Sequence, residues 1–186
     1  SITVAPTLPA TTLTSSCYRE MLRGTSITTA PALPATTLAS NCYQSMFNSC
    51  YSMTTGPASL PATTLAANCY AYMFENCQYM TTTPTMPTVT NIPTYAYRAM
   101  FKNCYRITSV PVLNVQSIAT YGCYAMFEGC VGLTSVTGTL NAIANYAYQY
   151  MFDGCTNITT VPEITYTGTV SGATTLISGH IHINDA

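Results

Sequence analysis

The stretch ITTAPALPATTLASNCYQSMFNSCYS, which runs from Ile27 to Ser52, decides how this chain folds. It returns with substitutions as ITSVPVLNVQSIATYGCYAMFEGCVG (Ile107 to Gly132) and as LTSVTGTLNAIANYAYQYMFDGCTN (Leu133 to Asn157). The methionine of a recurring Met-Phe or Met-Leu pair marks the period, with steps of 25 to 27 residues between Met21, Met46, Met73, Met100, Met126 and Met151. Six units of this length, called coils below, therefore follow one another from Ile2 to Asn157.

Equivalent positions in the coils keep one chemical character even where the residue changes. The position after the methionine is Leu22, Phe47, Phe74, Phe101, Phe127 and Phe152, and a second position is Leu13, Leu38, Leu65, Ile92, Ile118 and Ile143. A unit of about 26 residues has too few apolar side chains to close a core alone. Neighbouring coils must therefore stack and share one core, which predicts a solenoid.

Two local patterns complete the predicted fold class, an α/β solenoid of about six repeats of 25–27 residues. The ITTAP segments are rich in β-branched residues and end at proline, which favours short strands stacked in a parallel ladder with a spacing of ~4.8 Å. In the segment from Cys42 to Phe47, the spacing of Cys42, Tyr43 and Met46 favours one or two helical turns with an inward-facing stripe. We therefore expect short parallel strands on one side and short helical or irregular segments on the other.

The motif MFxxCxxLTSV, preceded by YAY or CYxx, resembles the BspA-like leucine-rich repeats, also called the Treponema pallidum type. The resemblance extends from Ile2 to about Pro162, and the segment LPATTL is richer in proline and threonine than is usual in that family. It implies a right-handed coil and a non-enzymatic adhesion or recognition module of gut bacteria or their phages. Such a module would be extracellular, on a cell surface or a virion, and would bind a protein or glycan there.

A structural role is the alternative that the composition leaves open. Only 6% of the residues are charged, against a usual value of roughly 25%. Free monomers would therefore have little charge repulsion to keep them from associating with one another. This favours a homo-oligomer or a larger assembly, such as a phage fibre.

The charge also limits the possible partners. With Lys+Arg 5 and Asp+Glu 6 the chain cannot neutralise a run of phosphates, which argues against binding to nucleic acid. No apolar run approaches the ~18 residues of a membrane span, so no membrane insertion is expected.

The repeat pattern predicts two domains, a leucine-rich-repeat solenoid at residues 1–162 and a C-terminal cap or docking segment at residues 163–186. The second segment contains GHIHIN, in which His180 and His182 lie two apart. On a strand both imidazoles would face the same side. They could bind a metal where three chains meet on an axis, although an ordinary exposed strand is the simpler interpretation and the one that we favour.

The nine cysteines raise the question of chemistry. A catalytic thiol needs one distinguished cysteine beside a base, whereas Cys50, Cys77, Cys104, Cys130 and Cys155 occupy the same position in successive coils. This favours packing as small apolar side chains, with some disulfides as an open alternative. The spacing of eight between Cys42 and Cys50 lacks the close pairs of zinc sites.

The acidic residues Glu75, Glu128 and Asp153 share a position of the coil with Asn48 and Lys102. A position that accepts either charge is typical of a solvated face. We expect no catalytic residue and no cofactor.

Threonine pairs supply the candidate ligand-binding residues. One position of the coil is Thr28, Thr54, Thr81, Thr108, Thr134 and Thr159, and the next is Thr29, Thr55, Thr82, Ser109, Ser135 and Thr160. If the strands alternate, one of these columns points outward as a ladder of hydroxyls that could meet a glycan or a protein, although threonine also simply suits strands. Aromatic platforms would join this face if they are exposed, namely Tyr43, Tyr70, Tyr97, Tyr124 and Tyr148.

Overall fold

The computed structural model describes residues 2–113, 116–136, 139–142, 144–160 and 163–166. Four short strands occur in them, β1 (Asn91–Ile92), β2 (Ser117–Ile118), β3 (Thr139–Ala142) and β4 (Glu163–Tyr166). β1 pairs with β2, and β3 pairs with β4, both in parallel. Isolated parallel bridges join Thr12 to Thr37 and Thr37 to Thr64 in the earlier coils. These parallel pairs therefore join equivalent segments of neighbouring coils at four steps of the stack.

This ladder lies in the TTL segment, not where the sequence predicted strands. The ITTAP segments form only single parallel bridges, of which Thr29 with Thr55 is one. In the TTL segment the side chains do alternate, because Thr37 is exposed while Leu38 is buried, and Asn91 is exposed while Ile92 is buried. In these rungs the apolar residue thus enters the shared core and the polar residue faces solvent.

The segment that was predicted to be helical forms a ribbon of overlapping turns, and no helix occurs in the described residues. In the second coil this turn ribbon covers residues 40–49. Alternate N–H groups bond within the coil, as from Gln44 to the carbonyl of Asn41, at 3.2 Å. The N–H groups between them donate to the next coil, as from Tyr43 to the carbonyl of Cys69, at 3.0 Å. All these N–H groups are therefore paired without a helix.

Left-handed residues explain why the helix prediction was wrong. Every fourth residue of the turn ribbon has positive φ, at Asn41 (59°), Ser45 (54°) and Ser49 (60°). The left-handed conformation cannot continue a right-handed helix. It turns the backbone so that alternate N–H groups point along the stack. The position of Ser49 is filled in other coils by glycine or asparagine, the residues that adopt this conformation most readily.

The core is one continuous column of side chains that runs through the coils. Ring centroids of Phe47, Phe74, Phe101, Phe127 and Phe152 lie 5.2 to 5.9 Å apart in stacked pairs. The methionines from Met46 onward and eight of the nine cysteines are buried beside these rings. Stacking therefore supplies the core that a single coil cannot form.

The end of the described chain continues this pattern. β4 begins just after the predicted boundary at residue 162, and Tyr166 pairs with Ala142 of β3. Residues 167–186 of the predicted cap lie outside the described residues. In the parts of the chain that the structure describes, no helix is long and apolar enough to cross a membrane.

Candidate recognition surfaces

The predicted threonine column is exposed along the stack. All six residues, Thr28, Thr54, Thr81, Thr108, Thr134 and Thr159, are exposed. Backbone bonds join the coils at the two ends of the column, since the N–H of Thr54 donates to the carbonyl of Thr28 at 3.0 Å and that of Thr159 to the carbonyl of Thr134 at 2.9 Å. The adjoining column from Thr29 to Thr160 is exposed as well. The surface is thus two hydroxyl-bearing residues wide, because no extended strand forms here to turn one column inward.

Some of these hydroxyls bond to the backbone of the preceding coil. The Oγ1 atom of Thr54 donates to the carbonyl of Thr28 at 3.3 Å, and that of Thr159 to the carbonyl of Thr134 at 3.2 Å. A hydroxyl that donates once still has two acceptor lone pairs. The threonine surface therefore combines a fixed side-chain orientation with acceptors that a ligand can use.

Four of the five tyrosines do not meet the condition of exposure that the aromatic platforms required. Tyr43, Tyr70, Tyr97 and Tyr148 are buried, and the first three rings stack with centroids 5.7 to 6.0 Å apart. They are part of the core. Tyr124 is only half-buried, because it occupies a different position of the coil and Cys123 replaces tyrosine in the buried column.

Eight of the nine cysteines pack inside the stack, as the repeat pattern predicted. All nine thiols are free and only Cys17 is exposed. Burial raises the pKa of the Cys42 thiol to about 11 and those of Cys69 and Cys155 to about 12. A thiol of high pKa has little of the thiolate that acts as nucleophile or metal ligand. The arrangement therefore suits packing and not chemistry.

The predicted metal ligands His180 and His182 lie outside the described residues. Among the residues that are described, no group of three or more His, Cys, Asp or Glu side chains could hold a metal ion.

A pocket that the sequence reasoning missed opens on the turn ribbon, with a volume of about 320 Å³. We call it the tyrosine pocket, and its lining is Tyr72, Arg98, Ala99, Lys102, Tyr124, Ala125, Glu128, Tyr150 and Asp153. Tyr72, Ala99, Ala125 and Tyr150 all stand immediately before the methionine of their coil. This column was the signal by which the sequence could have indicated the pocket, because two small alanines between two tyrosines leave a gap in the surface.

Charged groups face one another in the tyrosine pocket. The Lys102 Nζ atom lies 2.8 Å from Glu128 Oε1, and the two side chains are 29% and 28% exposed. Burial alone would lower the pKa of Lys102, but the hydrogen bond and charge of Glu128 outweigh it and raise that pKa. Glu128 therefore lines a pocket and does not belong to a fully solvated face, which corrects the sequence interpretation. Two coils earlier in the same column, the Nδ2 atom of Asn48 donates a hydrogen bond to Oε2 of Glu75 at 2.6 Å.

Arg98 is held by aromatic rings. Its guanidinium carbon lies 5.2 Å from the ring centroid of Tyr72, 5.1 Å from that of Tyr95 and 5.5 Å from that of Tyr124. These distances are typical of cation–π contacts. Its buried Nε atom has no hydrogen-bond partner among the described residues. The guanidinium also forms no ion pair with a carboxylate of the described residues.

The stacked coils and the core that they share define a repeat protein. A family model for the BspA-type leucine-rich repeat region matches residues 12–100 and 68–170, with six copies. The chain belongs to this family, whose members are often surface adhesion or recognition proteins and are typically non-enzymatic. No curated protein and no solved structure matches the chain.

Proposed function

We propose that this chain is a non-enzymatic recognition module that is displayed at a cell surface or on a virion and binds a protein or glycan there. The observation that carries the proposal is the exposed double column of threonine and serine hydroxyls, with backbone bonds between coils at its first and last steps. A regular array of hydroxyls suits the polar contacts of a recognition interface. The family supports the general role, since leucine-rich repeats generally mediate interactions. The proposal includes the right-handed course of the solenoid that the family implies.

The threonine surface can be tested without disturbing the coils. Thr81, Thr108 and Thr134 are replaced together by valine, which removes three hydroxyls but keeps the β-branched shape. The control replaces three threonines of another exposed row, Thr11, Thr36 and Thr63. Protein and glycan arrays identify a ligand, and biolayer interferometry measures its affinity for each variant.

We expect the first variant to bind that ligand at least about 10-fold more weakly, equivalent to roughly 1.4 kcal/mol, and the control to bind as the parent does. Equal weakening in both variants, or no ligand on either array, would overturn the proposal.

The alternative role, a structural component of a phage fibre or another assembly, rests on the low charge of the chain and on residues 163–186 with His180 and His182. Most of that segment lies outside the described residues, so this role stays a prediction from the sequence. Light scattering of the full chain and of a form truncated after Tyr166 tests it. A stable trimer that dissociates on truncation would favour the assembly role over the recognition module.

A further inference from the structure

The tyrosine pocket is a consequence of the repeat. Tyr72, Ala99, Ala125 and Tyr150 have φ angles of 57°, 48°, 53° and 59°, so the backbone follows the same course in all four coils. The gap therefore comes from the side chains alone. At ~4.8 Å per rung, Tyr72 and Tyr150 stand about 14 Å apart along the stack, with two methyl groups between them at this position of the coil. The side chains of neighbouring positions also line the space, since Arg98 lies against the Tyr72 ring and Tyr124 contacts the Tyr150 ring edge-on, with centroids 5.6 Å apart. The volume of about 320 Å³ lies at the lower end of the range for small-molecule sites, roughly 300–1,000 Å³.

Charged residues are concentrated in this pocket, although the chain as a whole has few of them. The sequence has five basic and six acidic residues, and four of these line the pocket: Arg98, Lys102, Glu128 and Asp153. Their formal charges cancel. The nearby Glu75 accepts a hydrogen bond from Asn48. The site therefore has no strong net charge that would select an anion or a cation.

The donors and acceptors of the lining suit a ligand that is rich in hydroxyls. Arg98 and Lys102 can only donate, the carboxylates of Glu128 and Asp153 can only accept, and the tyrosine hydroxyls can do both. A sugar hydroxyl both donates and accepts, so it can satisfy either kind of group. The tyrosine rings add apolar faces with a polar tip, which match the C–H faces and hydroxyl edges of a pyranose.

Other small-ligand chemistries fit less well. An apolar ligand would meet only the two alanine methyl groups and the tyrosine rings, and would desolvate four charged groups. A cationic ligand would compete with Arg98, which already lies over Tyr72 and Tyr124. An anionic ligand would meet the carboxylates of Glu128 and Asp153.

We propose that the tyrosine pocket binds one neutral hexose unit of a glycan, with Tyr72 and Tyr150 as its walls and Ala99 and Ala125 as its floor. Arg98 donates to ring or hydroxyl oxygens, since it forms no ion pair with a described residue. Glu128 and Asp153 accept from sugar hydroxyls. This deepens the proposed recognition function by naming a ligand class, but it uses a surface separate from the threonine columns.

The chain itself supplies the variant that closes the pocket. Ala125→Tyr places in the gap the residue that two other coils already carry at the same position and with the same backbone conformation. Tyr150→Ala removes one wall, and Tyr51→Ala, at an exposed tyrosine outside the lining, is the matched control. Thermal unfolding of each variant confirms that the coils remain stacked. The probes are the methyl glycosides of glucose, galactose and mannose, together with methyl glucuronide, measured by calorimetry and saturation-transfer NMR on the full chain.

We expect at least one neutral glycoside to bind with millimolar affinity. Ala125→Tyr should abolish this binding, Tyr150→Ala should weaken it at least about 5-fold, and Tyr51→Ala should leave it unchanged. The inference is overturned if no neutral glycoside binds, if binding survives Ala125→Tyr in a folded protein, or if the glucuronide binds more tightly than the hexosides. Replacing Thr81, Thr108 and Thr134 by valine should leave hexoside binding intact, so a failure here is distinguishable from a failure of the threonine surface.

Discussion

The thiol of Cys77 donates a hydrogen bond to the carbonyl oxygen of Phe47 in the preceding coil, with a sulfur–oxygen distance of 3.1 Å. The same bond joins Cys104 to Phe74, and Cys130 to Phe101. The Phe47 carbonyl already accepts the N–H of Cys50 within its own coil, so the thiol uses its second lone pair. A small apolar side chain with a weak donor suits this position, which explains why cysteine recurs there without a catalytic role.

Replacing Cys77 by alanine should lower the free energy of unfolding by about 1–2 kcal/mol. The change removes a buried hydrogen bond and leaves a small cavity. Cys17→Ala is the matched control, because that cysteine is exposed, and it should change stability by less than about 0.5 kcal/mol. Urea unfolding followed by circular dichroism measures both variants. Equal losses would show that the thiol of Cys77 has no special place in the stack.

Shortening one ring of the phenylalanine column should weaken the stack according to the volume that is lost. Phe74 is fully buried between Phe47 and Phe101, with both ring centroids 5.5 Å away. We expect Phe74→Ala to cost about 3–5 kcal/mol. Phe74→Leu, which copies Leu22 of the first coil, should cost clearly less because most of the volume remains. Thermal and urea unfolding give the ranking, and a leucine variant as unstable as the alanine variant would contradict it.

The left-handed turns give a prediction at Asn68, whose φ is 55°. Glycine adopts this conformation without steric cost, whereas a β-branched residue does not. Asn68→Gly should therefore change stability by less than about 1 kcal/mol, and Asn68→Val should lower it by roughly 1–2 kcal/mol. A valine variant as stable as the glycine variant, in the same unfolding assay, would argue that the segment is an ordinary right-handed helix.

Stability should fall as the pH rises above about 9. Burial raises the pKa of Cys42 to about 11 and of Cys69 to about 12, whereas an unfolded thiol has a pKa of about 8.5. Between these values the unfolded chain has released protons that the folded chain still holds. The folded state is therefore disfavoured as pH rises, by up to ~1.4 kcal/mol per pH unit for each such thiol. Below about pH 8 this effect is absent.

Urea unfolding at a series of pH values from about 8 to 11 checks this dependence. Cys69→Ala should show a shallower decline than the parent chain, because one buried thiol fewer resists ionisation. Buried tyrosines such as Tyr70, whose pKa burial also raises, contribute in the same direction at the upper end. An unfolding free energy that stays constant or rises over this range would contradict the burial of the thiols.

The stacking and the core could be predicted because buried positions demand the same chemistry in every coil. The recurring phenylalanines indicate one buried column, as at Phe47, Phe74 and Phe101, and the recurring cysteines indicate another, as at Cys50 and Cys77. The fixed position of these phenylalanines and cysteines relative to the methionine of their coil was sufficient to place them in the core. Likewise, the threonine column from Thr28 to Thr159 was predicted as a possible outward face and is exposed.

The turn ribbon was missed because its apolar spacing imitates a helix. Tyr43 and Met46 lie three apart, which fits a helical turn, and both are buried in the ribbon too. The deciding signal was the asparagine or glycine that recurs at the left-handed positions, such as Asn68, Asn76 and Gly129. Burial of the tyrosines was also hard to foresee, since the hydroxyls of Tyr43 and Tyr97 are buried with no partner among the described residues, whereas buried tyrosines usually find one.

The tyrosine pocket depends on what is missing from a column. Ala99 and Ala125 are unremarkable by themselves, and they form a site only because the flanking coils place Tyr72 and Tyr150 at the same position. Sequence reasoning that looked for chemically active residues had no reason to compare small ones. The partner of Lys102, Glu128 in the next coil, becomes visible only once the two coils are stacked.

Thiol labelling of the native chain tests the central claim most directly, that the recurring side chains hold stacked coils together and are not reactive groups. The full chain is treated with iodoacetamide under native conditions at neutral pH and analysed by mass spectrometry, with a urea-unfolded sample as the reference. We predict rapid modification of Cys17 alone, and modification of the other eight cysteines only after unfolding. Rapid native labelling of Cys50, Cys77 or Cys104 would contradict the account.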